Sequence, residues 1–257
     1  MKKTKVVCTM GPNTNDRELM KKLIENGMDV ARFNFSHGDH EEQKGRMDLL
    51  KELREELHTN TAILLDTKGP EIRTGVLKDG KKVMLETGKQ FTLTVDEIVG
   101  DVNKVSISYE GLVHDIDLGK TILIDDGLIG LKVISKTDRD IVCEVVNGGE
   151  LGEKKGVNVP NVAVRLPAIT EKDKDDIRFG VEQGIDFIAA SFVRNAECVL
   201  EIKDYLRELN APFIPVIAKV ENAEGIRNID EIIRAADGVM VARGDLGVEI
   251  PAEEVPY

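Results

Sequence analysis

The sequence predicts an α/β fold in which a parallel sheet covered by helices is interrupted by a separate domain of short strands. Apolar runs alternate with segments of helical periodicity over residues 1–66, and again after residue 168. Three joints repeat the order helix, glycine and apolar strand, in "ENGMDVARFNF", "EQGIDFIAASF" and "AADGVMVARGD". Strands that are apolar on both faces are typical of parallel sheets covered by helices.

The first part of this pattern occupies residues 1–69. "KVVCTM" predicts a strand, and "NDRELMKKLIENG" predicts a helix capped by Thr14 or Asn15 and ended by Gly27. "DVARFNFS" predicts the second strand. The next helix begins at the capping pattern Asp39-x-x-Glu42, and "AILLD" predicts the third strand.

Between residues 70 and 167 the pattern changes to short strands separated by Gly and Asp turns, without a sustained helical period. We interpret this stretch as an inserted β-domain. It follows directly on the carboxyl end of a strand, where sites form in α/β folds, so we expect it to act as a lid.

Strand–helix alternation resumes over residues 168–257. Thr170 with Asp173 predicts a helix start and Gly184 its end, and three further strands follow in "IDFIAASF", "FIPVIAKV" and "GVMVAR". The chain therefore supplies about six strand–helix units, whereas a closed (β/α)₈ barrel has eight. Either the sheet is open or the chain is a piece of a longer one, and the stop at "PAEEVPY", where another helix begins, favours the second.

Composition excludes several classes of function. With 41% hydrophobic and 32% charged residues the chain can form a sizeable core, and neither a signal peptide nor a run of about 18 apolar residues is found. We therefore expect a cytoplasmic protein that does not enter a membrane. A formal charge of −12 argues against general nucleic-acid binding.

The widely spaced Cys8, Cys143 and Cys198 are predicted to be core residues, not disulfide partners or zinc ligands.

Several strands change from apolar to polar residues at their carboxyl ends. Residues two apart on a strand face the same way, so Arg32, Asn34 and Ser36 share one face, opposite Phe33 and Phe35. We expect the Phe face to pack under helices and the polar face to point toward the centre of the sheet.

The same reasoning adds polar residues at three further strand ends: Asp66 with Thr67, Lys219 with Glu221, and Arg243 with Asp245. For any single residue a solvated strand end is the simpler explanation. Together these charges on inward faces are costly to bury without a ligand or metal, so they predict a site.

The residue types indicate the chemistry of this site. Glu221 and Asp245 are hard oxygen ligands, too few for a calcium cage, and suit Mg²⁺ or Mn²⁺ completed by substrate and water. A second set, which joins neutral oxygens to one carboxylate, suits a monovalent cation. It consists of Asn34, Ser36, Asp66 and Thr67.

Cations and a glycine complete the prediction. Lys219 can stabilise a transferring phosphoryl group or a developing enolate. Arg32 and Arg73 suit bidentate contact with phosphate, and the amide of Gly244 allows close approach of a substrate carboxylate.

Four motifs, "MVARGDLGVEIPAE", "VIAKVENAEGIRNIDEI", "ARFNFSHG" and "LLDTKGPEIRTG", closely resemble those of pyruvate kinases of bacterial type, and the resemblance covers essentially all 257 residues. It implies a (β/α)₈ barrel, represented here by residues 1–69 and 168–257, with a lid at 70–167. It also implies phosphoryl transfer from phosphoenolpyruvate to ADP, giving pyruvate and ATP in glycolysis.

The resemblance also implies roles for individual residues. Glu221 and Asp245 correspond to ligands of Mg²⁺ or Mn²⁺, and Asn34, Ser36, Asp66 and Thr67 correspond to the K⁺ site. Lys219 corresponds to the residue that stabilises the phosphoryl group during its transfer, and Arg32 corresponds to the residue that binds this group. Gly244 and Asp245 correspond to residues that bind the substrate. Arg73, His37, Lys155 and Asn34 fall among the cofactor and nucleotide contacts, and Glu71 stands where a glutamate accompanies K⁺ dependence.

Members of this family form homotetramers and continue through two more barrel strands and a regulatory domain. We therefore expect this chain, unless another chain completes it, to bind metal and substrate weakly and to turn over slowly or not at all.

Two alternatives stay open: a lyase or aldolase that acts through a metal enolate, and a protein that only binds ligands or partners. Dependence on ADP separates the kinase from the lyase.

Overall fold

The structure, a computed structural model, describes residues 3–256. Within them the chain forms two compact units. The first comprises residues 3–70, 168–220 and 228–240, and the second comprises 71–167, 221–227 and 241–256.

Residues 3–70 form the predicted alternation of strands and helices. The elements are β1 (Val7–Met10), α1 (Arg17–Glu25), β2 (Val30–Asn34), α2 (His40–Leu57) and β3 (Ala62–Asp66). The predicted start of α2 is confirmed, because the Asp39 carboxylate accepts a hydrogen bond from the Glu42 amide at 2.9 Å.

The predicted caps of α1 are wrong. Thr14 and Asn15 lie in a 3₁₀ turn, Pro12–Asn15, and the helix is capped by the next residue, Asp16. The Asp16 carboxylate accepts from the Leu19 amide at 2.7 Å, which satisfies one of the free N–H groups of the first turn.

Residues 71–167 are mainly short strands, as the turn pattern predicted. The elements are β4 (Val83–Leu85), β5 (Gln90–Thr94), β6 (Lys104–Ser106), α3 (Leu112–Asp115), β7 (Thr121–Ile124), β8 (Ile129–Lys136), β9 (Asp140–Asn147), β10 (Gly149–Leu151) and β11 (Val157–Asn158). Six of the strands form a sheet in the order β11-β7-β8-β9-β5-β6, in which only the β5–β6 pair is parallel, and β4 pairs with β10.

Helices again alternate with strands from residue 168. The elements are α4 (Glu171–Gln183), β12 (Phe187–Ala190), α5 (Ala196–Glu208), β13 (Val216–Val220), α6 (Ala223–Arg227), α7 (Ile229–Ala235), β14 (Gly238–Val241) and α8 (Arg243–Glu249). The predicted bounds of α4 are confirmed: Thr170 and Asp173 form a reciprocal capping box, and Gly184 ends the helix with a left-handed φ of 73°.

One prediction at the last strand is wrong. β14 ends at Val241, and Arg243 begins helix α8, so Arg243 and Asp245 do not share the face of a strand. At about 3.6 residues per turn, helix residues two apart point away from each other.

The sheet of the first unit has the order β1-β2-β3-β12-β13-β14. The pairs β1–β2, β2–β3, β3–β12 and β12–β13 are parallel, as the sequence predicted. Phe33 and Phe35 are buried in one apolar cluster with helix residues such as Met47 and Leu50, whereas Arg32 and Asn34 on the other face are half-buried. The predicted alternation is therefore confirmed for Arg32, Phe33 and Asn34, whereas the placement of Ser36 on the strand is wrong, because β2 ends at Asn34 and Ser36 lies in the turn that follows.

An aspartate precedes every second strand of this sheet and joins it to the neighbouring strand. These aspartate clamps are Asp29 before β2, Asp186 before β12 and Asp237 before β14. The amide of each donates to the carbonyl of Val6, Ile63 and Val216 respectively, at 2.9 Å in every case. The carboxylate of each accepts the amide of that same residue in return, at 2.6, 2.7 and 2.8 Å. The clamps occupy the three repeated joints of the sequence.

Candidate active site

Polar side chains of the first unit converge on Asp66, the last residue of β3, which is 1% exposed. Arg32 donates from Nε to Oδ2 at 2.5 Å, and Lys219 donates from Nζ to Oδ1 at 3.1 Å. The hydroxyl oxygen of Ser191 lies 3.2 Å from Oδ1. One buried carboxylate therefore holds two cations and contacts a hydroxyl group.

Strand register explains this convergence. Asn34 lies directly opposite Asp66 in the β2–β3 pair. Arg32 is two residues before Asn34 on β2, so its side chain lies on the same face of the sheet. Lys219, 7% exposed, lies near the end of β13. The carboxyl ends of parallel strands meet at one edge of the sheet, so three predicted residues come together there: Arg32, Asp66 and Lys219.

Ser191 belongs to this cluster but was not selected from the sequence. Its Oγ lies 2.6 Å from the Thr67 carbonyl oxygen and accepts from Lys219 Nζ at 2.8 Å, while its amide donates to Thr67 Oγ1 at 3.0 Å. A hydroxyl has one proton, so the shorter contact, to Thr67, takes the donated hydrogen bond. A polar residue directly after the apolar run "FIAA" was the available signal. Thr9 of β1, which accepts from Arg32 at 2.8 Å, was missed as well.

The oxygens proposed for a monovalent cation lie on two adjoining segments. Asn34 Oδ1 accepts from the Ser36 amide at 2.9 Å, and the Phe35 amide donates to the Asp66 carbonyl at 2.9 Å. A carboxylate has about four acceptor positions, and the hydrogen bonds from Arg32 and Lys219 to Asp66 leave about two for a further cation. The donor set therefore fits K⁺.

The loop after β2 carries His37, which is exposed. Gln43, in the first turns of α2, donates to the carbonyls of Asn34 and His37 at 3.1 and 3.0 Å and so closes the loop. The Asp66 cluster described above does not include the His37 side chain.

The second unit contains the predicted nucleotide contacts Arg73 and Lys155. Arg73 donates from Nε to Glu71 at 2.6 Å and from Nη1 to the Lys154 carbonyl at 2.8 Å. Lys155 forms an ion pair of 2.9 Å with Asp125. The segments of Arg73 and Lys155 adjoin, because the Thr74 amide donates to the Lys155 carbonyl at 2.8 Å.

The predicted divalent-metal ligands also belong to the second unit. Glu221, 1% exposed, follows β13 directly, whereas Gly244 and Asp245 are exposed in the first turn of α8. Among residues 3–256 no group of three or more His, Cys, Asp or Glu side chains is arranged to hold a metal. Two carboxylates with hard oxygens fit Mg²⁺ or Mn²⁺ when substrate and water supply the other ligands.

Ionisable groups near this region and in the core have shifted pKa values. Burial raises the pKa of the Glu249 carboxyl in α8, and a hydrogen bond of 2.9 Å from Asn158 offsets only part of this shift. Burial also raises the pKa of Cys143 to about 12. Cys143 and Cys198 are buried free thiols, as predicted, and Cys8 is half-buried.

No helix within the described part of the chain combines the length and apolar character that a membrane span requires.

In comparisons with known proteins, the family described as pyruvate kinase, barrel domain, matches residues 1–257. The chain is 56% identical over 258 aligned residues to a pyruvate kinase of Bacillus licheniformis and 54% identical to one of Staphylococcus aureus strain MRSA252. These alignments cover the whole chain but 44% of each relative, so the chain spans less than half of their length.

Proposed function

The chain belongs to the pyruvate kinase family, and on that premise we propose that it carries the site for phosphoryl transfer from phosphoenolpyruvate to ADP, giving pyruvate and ATP in the cytoplasm. The observation that carries this proposal is the convergence of Arg32, Ser191 and Lys219 on Asp66. The six-stranded sheet is then part of a (β/α)₈ barrel, and residues 70–167 are its lid.

Two cations at fixed positions suit the negative charge of a phosphoryl group. Asp66 holds Arg32 and Lys219 through different carboxylate oxygens, so neither side chain has to reorganise when charge develops on the transferring group. Arg32 offers a planar fork for phosphoryl oxygens, and the buried ammonium of Lys219 acts where charge is poorly screened.

Metal ions supply the remaining positive charge in this proposal. Glu221 and Asp245 would hold Mg²⁺ or Mn²⁺, which when bound neutralises charge on the phosphoryl and enolate oxygens. Asn34, Ser36, Asp66 and Thr67 would hold K⁺, and Glu71 stands where the family pattern accompanies K⁺ dependence. The amide of Gly244 would contact the substrate carboxylate, and Arg73, His37 and Lys155 would contact the nucleotide.

The decisive experiment uses the purified 257-residue chain with phosphoenolpyruvate, ADP, Mg²⁺ and K⁺, following ATP and pyruvate together. We expect slow turnover, because the chain spans 44% of its relatives, and measurable Mn²⁺ binding. Glu221→Gln should lower both, since it removes the charge of a proposed metal ligand. Glu253→Gln, at an exposed carboxylate, is the matched control.

The outcomes separate the alternatives. Pyruvate released from phosphoenolpyruvate without ADP would mean that water accepts the phosphoryl group, and would contradict a kinase. A folded chain that shows neither turnover nor Mn²⁺ binding would contradict the proposal.

A further inference from the structure

Helix α4 carries two buried carboxylates one turn apart that the proposed function does not use. Asp173 is 0% exposed and Asp176 is 2% exposed. Each contacts a different loop of the first unit, and these two loops carry the proposed K⁺ ligands.

Asp173 holds the loop after β3. Its Oδ1 accepts from the Gly69 amide at 2.9 Å, while Oδ2 accepts from the amide and hydroxyl of Thr170 at 2.9 and 2.6 Å. Gly69 has a φ of +72°, and a Cβ at this position would lie 2.8 Å from the Cβ of Ser191. The backbone that follows Asp66 and Thr67 is therefore fixed between α4 and Ser191.

Asp176 holds the loop after β2 at both ends. Its Oδ1 contacts His40 Nε2 at 2.7 Å, and its Oδ2 accepts from Lys172 Nζ at 2.5 Å. Lys172 also donates to the Phe35 carbonyl at 3.2 Å. The His40 ring stacks on Phe179 of the same helix α4, with ring centroids 4.3 Å apart.

We infer that Asp173 and Asp176 are positioning residues that set the affinity of the site for K⁺, an inference that rests on the proposed function. Asn34 and Ser36 lie at the loop held by Asp176, and Asp66 and Thr67 lie at the loop held by Asp173. One helix thus fixes the spacing of the two halves of the oxygen set. Groups that orient metal ligands in this way change affinity without touching the ion.

A purely structural role makes a different prediction. If the two carboxylates only stabilise the fold, their loss lowers the melting temperature equally with and without K⁺. If they position the oxygens, their loss raises the K⁺ concentration needed for half of the K⁺-induced stabilisation, because ligand binding to the native state alone stabilises it.

The experiment follows thermal unfolding of the 257-residue chain by circular dichroism, with KCl replaced stepwise by tetramethylammonium chloride at constant ionic strength. Asp176→Asn should raise the half-saturating K⁺ concentration about tenfold or more and leave Mn²⁺ affinity unchanged. Lys172→Met, at a half-exposed side chain, should shift it in the same direction and is the variant to rely on if Asp176→Asn does not fold. Asp175→Asn is the matched control, because Asp175 is exposed on α4 and pairs with Arg178 of the same helix.

Two results overturn the inference in distinguishable ways. If the unaltered chain responds to K⁺ and the variants respond at the same concentration, the K⁺ site stands and the positioning role fails. If the unaltered chain gains no stability from K⁺ relative to tetramethylammonium, the K⁺ part of the proposed function fails, and the inference fails with it.

Discussion

Asp66 shows how one residue can define a site. It is buried, and removing its charge would leave Arg32 and Lys219 without the carboxylate that both contact. Because a broken buried ion pair is much more destabilising than an exposed one, the effect of each neighbour is better tested by changing the neighbour than by changing Asp66.

Ser191 offers such a test. Ser191→Ala removes the hydroxyl that contacts Lys219, Asp66 and the Thr67 carbonyl, and should lower the free energy of unfolding by about 1–3 kcal/mol. Urea unfolding measures this change. Ser135→Ala, at an exposed serine of β8, should lie within about 0.5 kcal/mol of the unaltered chain. An equal effect of both substitutions would contradict the network described here.

Gly69 tests the close approach of the backbone to Ser191. Gly69→Ala should destabilise the chain both through its left-handed φ and through the 2.8 Å approach of the new Cβ to Ser191. Gly88→Ala is the control, since Gly88 has a φ of +82° but no atom within 4 Å of its added Cβ. We expect Gly88→Ala to cost about 1–2 kcal/mol and Gly69→Ala to cost more, and equal losses in urea unfolding would mean that the site relaxes around the methyl group.

The sequence correctly predicted the strand positions of candidate site residues that lie within a strand or at its last residue. Arg32 and Lys219 lie within strands, so alternation placed them correctly, and Asp66 terminates one. The failure at Arg243 and Asp245 occurred because alternation does not reveal where a strand stops and a helix begins.

For the helices, the sequence predicted that a cap is present more reliably than it predicted which residue provides the cap. Asp39 and Thr170 are each the one clear candidate for the cap of the helix that follows. The segment "NTND" before α1 instead offers several adjacent residues that could cap the helix. The choice of Asp16 depends on the 3₁₀ turn before it, a feature without a distinct periodicity.

The aspartate clamps should contribute to the stability of the sheet. Asp186→Ala removes the acceptor of the Ile63 amide at the start of β3 and should lower the free energy of unfolding by about 1–2 kcal/mol in urea. Glu182→Ala, an exposed acidic residue near the end of α4, provides the comparison and should be close to neutral. A neutral Asp186→Ala would show that water replaces the clamp.

Asp237 adds a dependence on pH. Burial alone would raise its pKa, but the Val216 amide and the Lys203 ammonium outweigh burial and lower the pKa overall. A lowered pKa contributes stability that is present above the unfolded value of about 3.9 and is lost as the pH falls through the folded value. The contribution is small because the side chain is 43% exposed.

Asp237→Asn should therefore lower the melting temperature at pH 6, and the difference from the unaltered chain should shrink as the pH falls below about 3.9. Thermal unfolding between pH 2.5 and 7 checks this, with Asp175→Asn as the reference. A difference in melting temperature that stays constant over this range would contradict the assignment.

At the scale of the molecule, the buried apolar residues within 3–256 form two separate clusters. One contains residues such as Phe33, Leu50 and Ile188 of the first unit, and the other contains Phe91 and Leu131 of the second. The change in periodicity predicted this separation. The strand order β11-β7-β8-β9-β5-β6 was not predicted, because short strands between similar turns carry little information on register.

Separate cores should respond separately to damage. Phe91→Ala removes a fully buried ring and should destabilise the second unit by about 3–5 kcal/mol. Hydrogen exchange should show loss of protection in β5 and β9 with protection in β2 and β3 retained. Phe213→Ala, at an exposed phenylalanine, is the control. Equal loss of protection in β2 and β3 would show that the units unfold together.

The aspartate clamps also bear on how such a sheet can be altered. Each clamp lies within one of the pairs β1–β2, β3–β12 and β13–β14, so the two-strand pair is the smallest segment that carries its own clamp. Recombination or design that exchanges whole pairs keeps every clamp, whereas exchange of a single strand separates an aspartate from the amide it binds. Chimeras with crossovers between pairs, such as between β2 and β3, should therefore fold more often than chimeras with crossovers inside a pair.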